Sequence, residues 1–216
     1  MDDEDAWLYE YFNEAHTSPN KFRTELAKYS GKPLTVWVDS YGGNVFAASG
    51  VFTALKEHKG GVTVKIDGKA MSAASVIAMA GDRILMSPTA IMMIHNPITG
   101  IQAGYASDLR KAADVLDVVK ETIVNAYAAK TGRTRAAISA LMDHESYFSA
   151  KTAIKEKFAD GMLYADSEAK PVEMAFDRTA ILNSTVDAMR RVSAKYIPPK
   201  PDNTIALALL KLTIET

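Results

Sequence analysis

The sequence predicts an α/β domain with parallel strands. Three observations predict it. Short runs rich in β-branched residues alternate with stretches of helical periodicity. Glycine and proline punctuate the joins between them. Polar residues of the kinds used in catalysis then fall just beyond the ends of three predicted strands, where ligands bind in parallel sheets.

In chain order, the acidic start Asp2-Asp3-Glu4-Asp5 favours a helix N-terminus, and Trp7, Leu8, Tyr11 and Phe12 follow at helical spacing. Thr17-Ser18-Pro19 offers an N-cap with proline at the first helical position, which opens a helix to about Tyr29. Residues 34–39 (LTVWVD) read as a buried strand between Gly31/Pro33 and Gly42-Gly43. Val45, Ala48, Phe52 and Leu55 share a helical face that Gly60-Gly61 ends. The unit then repeats: a strand over 62–67 (VTVKID), a turn at Gly68-Lys69 and a small-residue helix over 72–80. Residues 84–86 and 91–94 read as two more short strands. The longest helical pattern covers 107–130, with Leu109, Ala113, Leu116, Ile123 and Tyr127 along one side and Gly132 closing it. A helix of that length with an apolar edge suits contact between copies of the chain. Helices over 135–142 and 149–158 follow, and a stiff Ile197-Pro198-Pro199-Lys200-Pro201 linker leads to an apolar end. The expected organisation is a domain over residues 1–166 and an extension over 167–216.

Composition narrows the function. The 216 residues suffice for one large domain, 48% are apolar, and the net charge of −1 gives no electrostatic case for nucleic acid. The chain has no cysteine, which excludes thiol catalysis and Cys-zinc sites and suits a reducing cytoplasm. No apolar run approaches the ~18 residues of a membrane span, and the acidic start is the reverse of a signal peptide. No cofactor or metal is implied, so a cytoplasmic protein with no membrane or nucleic-acid partner is expected.

Three segments carry the chemistry: Asp39-Ser40-Tyr41-Gly42-Gly43-Asn44, Gly68-Lys69-Ala70-Met71-Ser72-Ala73-Ala74-Ser75 and Met92-Met93-Ile94-His95-Asn96-Pro97. A serine hydroxyl becomes nucleophilic when a base takes its proton, and histidine does so near neutral pH. The N–H groups of a glycine turn, at Gly43, and of the residue after the serine, Ala73, would serve an oxyanion. Glycine at 43 lets the backbone approach a scissile carbonyl. Taken singly, Ser72 reads as an N-cap, His95 as a turn histidine and Gly42-Gly43 as a turn. Ser75 is a rival nucleophile, one helical turn further in.

Together these segments resemble the Clp protease proteolytic subunit family. Its Ser-Pro-Gly-Gly turn matches Ser40-Tyr41-Gly42-Gly43. Its Gly-x-Ala-x-Ser nucleophile segment matches Gly68-Lys69-Ala70-Met71-Ser72, with Ala80-Gly81 following. Its Met-Ile-His-x-Pro segment matches Met93-Ile94-His95-Asn96-Pro97. The likeness runs from about residue 7 to 166, and residues 7–26 are similar to the lead-in of the phage head maturation proteases of this type. The resemblance implies a Clp/crotonase-like α/β fold of repeated β-β-α units with a long protruding helix. It also implies a serine endopeptidase in a ring-shaped homo-oligomer, acting on protein substrates such as phage capsid or scaffold proteins. It implies Ser72 as nucleophile, His95 as base, and an acid before Tyr147-Phe148-Ser149-Ala150. Ungapped matching places Glu145 there, with Asp143 as competitor. Lys157 stands where the family has a helix-ending glycine, and the family's usual first strand finds no match. A non-catalytic shell or scaffold component with this fold is the alternative, and a crotonase-like acyl-CoA enzyme would not need serine and histidine at these places.

Overall fold

The computed structural model describes residues 17–100 and 103–165; they belong to the first of two units of the chain, residues 1–172. The expected helix around Trp7 to Phe12 and the proline-containing extension lie outside the described residues. The order is α1 (Pro19–Ala27), β1 (Leu34–Ser40), α2 (Val45–Lys56), β2 (Val62–Met71), α3 (Ala73–Ala78), β3 (Arg83–Met86) and β4 (Ile91–Ile94). There follow α4 (Ala106–Thr131), α5 (Arg135–Asp143), β5 (Ser146–Ser149), α6 (Ala150–Lys155) and β6 (Gly161–Met162). This is the expected α/β architecture.

β2 organises the sheet. Its first half pairs in parallel with β1 and β3, and its last residues pair in parallel with β4. β6 extends the β3 side in parallel, whereas β5 closes on β4 antiparallel. Gly68-Lys69 is not a turn; the strand runs on to Met71, with the β1 register jumping from Val38↔Ile66 to Ser40↔Ala70. Gly68 is needed for close approach, because a Cβ there would lie 2.6 Å from Asp39 Oδ1. β5 and β6 had no sequence signal: each is too short for a period-2 pattern to stand out.

Local chemistry sets the helix ends. Asn44 caps α2 by accepting from the Phe46 and Ala47 N–H groups at 2.8 and 3.0 Å. Thr134 caps α5 through Ala137 N–H. Ser18 stands at the N-cap of α1 with Pro19 behind it, but makes no side-chain cap bond. α6 ends with Lys157 itself in the left-handed region, at φ 65°, and Phe158 N–H reaches back to the Ala153 carbonyl at 2.8 Å. Lys157, standing where the family has a helix-ending glycine, thus takes the conformation that glycine would adopt without strain.

The core lies between the sheet and α2, α3 and the second half of α4. Val64, Ile66, Ile84, Met86, Met92 and Ile94 are fully buried with Tyr127, Ile138, Met142 and Phe158. Phe158 packs between a tilted Phe148 ring and an edge-on Tyr127 ring, with centroids 4.8 and 5.8 Å away. α4 divides in character along its length. Val119, Ile123, Val124 and Tyr127 pack into the core, while Leu109, Val115 and Val118 are at least half exposed. Ile123 and Tyr127, expected in contacts between copies, are buried in their own domain. No helix among the described residues is long and apolar enough to cross a membrane.

Candidate active site

Three strand registers bring the chemistry-bearing segments together. β2 and β4 run in parallel with Met71 opposite Met93, so Ser72 follows beside Ile94, and its N–H donates to the Met93 carbonyl at 2.9 Å. His95 is the next residue after β4. β5 is antiparallel with Ser146 opposite Ile94, which sets Glu145 beside His95. β1 pairs Ser40 with Ala70, which carries the Gly42-Gly43 turn to Ser72 and Ala73.

Ser72 occupies the N-cap position of α3 but does not cap it with its side chain. Its Oγ instead lies 2.7 Å from His95 Nε2. With the ring proton on Nδ1, Nε2 accepts the serine hydroxyl proton, the arrangement a general base requires. Ser72 holds φ 52° and ψ −128°, a region that costs a non-glycine residue on the order of 1–3 kcal/mol and clusters at functional sites. The sharp strand-to-helix turn presents the hydroxyl outward. Ser75 is fully buried; its Oγ is bound to the Ser72 carbonyl at 2.6 Å and the Tyr127 hydroxyl at 2.8 Å. Ser40 Oγ accepts from Gly42 N–H within its own turn.

His95 is held below the ordinary histidine value, first by burial, with the charge of Glu145 pulling the other way. Lowering the pKa keeps the ring neutral, and so able to accept a proton, to more acid pH. The serine reaction should therefore rise with pH through a midpoint below about 6.5, and Glu145→Gln should move that midpoint lower still. A pH–rate profile for an active-site serine reagent checks both; a flat profile from pH 5 to 8 would remove His95 from the role.

The two candidate acids differ in their engagements. Asp143 Oδ1 accepts from Lys120 Nζ at 2.5 Å and from Asn96 Nδ2 at 2.9 Å. Those two donors, Lys120 foremost, hold its carboxyl below the usual range. Glu145 is the carboxylate whose charge His95 feels, although no hydrogen bond joins the two side chains. It sits at φ 46° between His144, which caps the end of α5, and the first residue of β5. Asn96 Oδ1, buried next to this cluster, has no hydrogen-bond partner.

The glycine turn packs against the nucleophile. Gly42 and Gly43 have φ of 109° and 148°. A Cβ on Gly42 would lie 2.8 Å from Ser72 Cβ and 3.0 Å from Ala73 N. The close approach expected of Gly43 is seen at its neighbour Gly42, the glycine whose Cβ would crowd the serine. Among the described residues no cluster of His, Asp or Glu could hold a metal ion.

A serine–histidine pair on adjoining strand ends, with a glycine turn against the serine, defines the class: an α/β protein with the geometry of a serine hydrolase site. Residues 24–165 match the family model described as Clp protease. Among relatives, proteolytic subunit 1 of the ATP-dependent Clp protease of Chlamydia muridarum is 33% identical over 138 residues, 62% of this chain and 72% of that protein. The proteolytic subunit of Chlorella vulgaris is 31% identical over 129 residues, 59% and 64% of the two chains. The chain belongs to the Clp protease family.

Proposed function

We propose that the protein is a serine endopeptidase in which Ser72 attacks the scissile carbonyl and His95 takes its proton. Glu145 stabilises the imidazolium, and the Gly43 and Ala73 N–H groups receive the oxyanion. The observation that carries this reading is the 2.7 Å Ser72–His95 bond at a strained strand-to-helix turn. A retained fold without chemistry has no use for that pairing. The reaction needs no cofactor: the proton taken from Ser72 returns to the leaving amine, and water repeats the cycle on the acyl-enzyme.

We assign the peptidase domain to residues 1–166, with 167–216 as an extension, and place the protein in the cytoplasm, that of a host if phage-encoded. For the substrate we propose a phage capsid or scaffold protein cut during head maturation; the likeness of residues 7–26 to that group's lead-in supports it. Incubating candidate capsid proteins with the wild-type chain and Ser72→Ala tests the assignment. Serine-dependent cleavage at discrete sites supports it, and intact capsid protein beside an active peptidase contradicts it.

We further propose that the chain works as a ring-shaped homo-oligomer, so that access to an enclosed chamber selects substrates. Support comes from the first half of α4, which leaves Leu109, Val115 and Val118 at least half exposed. In sedimentation the wild type should run as an oligomer and a Val115→Asp, Val118→Asp double variant as a smaller species. A wild type that is monomeric at micromolar concentration and still cleaves would contradict the chamber.

A further inference from the structure

We propose that Tyr127 and Ser75 are positioning residues that aim the Ala73 N–H at the oxyanion through a buried relay of hydroxyls; this rests on the serine-peptidase reading above. Ser75 has one hydroxyl proton. The Ser72 carbonyl can only accept, so that proton goes to it, at 2.6 Å. Ser75 Oγ then accepts from the Tyr127 hydroxyl at 2.8 Å. The order is fixed: Tyr127 donates to Ser75, and Ser75 donates to the Ser72 carbonyl. Both side chains are buried, at 1% and 0% exposure. Burial pushes the Tyr127 phenol above its ordinary range, so it keeps its proton throughout the working pH.

The carbonyl held in this way belongs to the Ser72–Ala73 peptide. In a planar trans peptide the C=O and N–H point in opposite directions. Drawing the Ser72 carbonyl inward therefore turns the Ala73 N–H outward, beside the Gly42-Gly43 turn. The same bond helps hold ψ of Ser72 at −128°. Hydrogen bonds in series also polarise one another, which makes the Ala73 N–H a stronger donor as charge grows on the oxyanion. Tyr127 comes from the core-packed half of α4, far along the chain from the nucleophile, and gives that helix a direct hold on the turn.

The test measures peptide turnover and inhibition by a peptide boronate, which forms a tetrahedral adduct on the serine. Tyr127→Phe removes one oxygen and should lower kcat about 3–10-fold and weaken boronate binding by a similar factor. KM and the pH midpoint should stay unchanged. Ser75→Ala should cost more, about 10–100-fold in kcat, and strand the Tyr127 hydroxyl without a partner. The Ser75→Ala, Tyr127→Phe double variant removes that orphan. Its Tm should recover towards wild type while kcat stays at the Ser75→Ala level. Recovery of kcat together with Tm, or wild-type kcat in Tyr127→Phe, would overturn the relay while leaving the peptidase reading intact. A wild-type chain that neither turns over peptide nor binds boronate would overturn both.

Discussion

Ser72→Ala is expected to lower peptide turnover by a factor on the order of 10⁴–10⁶ and to leave the fold in place. The size follows from what the hydroxyl does. Without Oγ no covalent intermediate forms, and the remaining oxyanion donors and binding contacts supply only the residual acceleration over water, about 10³–10⁴. The fold survives because the hydroxyl gives no cap to α3 and its partner is His95, which is half-buried at the site. The turn itself is held by main-chain bonds and by Ser75: Ser72 N–H to Met93, and the Ser72 carbonyl to Ser75 and its N–H. Circular dichroism and turnover measured on the same preparation check this. Near-wild-type turnover in the variant would transfer the nucleophile elsewhere.

Glu145→Gln is expected to have the second largest effect, lowering kcat on the order of 10²–10⁴-fold. Asp143→Asn should cost less than tenfold. A neutral amide at 145 no longer stabilises the imidazolium that forms as Ser72 attacks, and it favours the wrong tautomer of the ring. Asp143 is already committed to Lys120 and Asn96, so its loss acts on His95 only through its neighbour Asn96. The β4–β5 register makes Glu145 the residue beside His95, and its charge already acts on the ring. Steady-state kinetics of the two variants decide the matter: the reverse ranking would give the role to Asp143, and two near-silent variants would leave a serine–histidine dyad.

The strands and helices that carry the site were legible because each has a local cause. β-branched runs mark β1 and β2, Gly60-Gly61 and Gly132 mark helix ends, and residues 107–130 repeat at helical spacing. The pairing of Ser72 with His95 was legible because each falls just past a strand, where side chains converge. What stayed hidden depends on contacts between distant segments. The run-on of β2 through Gly68 reflects the approach of Asp39, which no window around Gly68 contains. β5 owes its existence to pairing with β4, and that pairing, which no local spacing shows, sets Glu145 beside His95. Tyr127 and Ile123 have the apolar character of a contact edge, and only the packing of α4 shows that their side of the helix faces inward.

All of this chemistry depends on the activation of Ser72 by His95. The decisive measurement maps the adduct of a fluorophosphonate on the intact wild-type chain by mass spectrometry. A single adduct on Ser72 is expected, formed faster as pH rises through the His95 midpoint and absent from His95→Ala and Ser72→Ala. An unlabelled wild-type chain, an adduct on Ser75 or Ser40, or undiminished labelling of His95→Ala would contradict it.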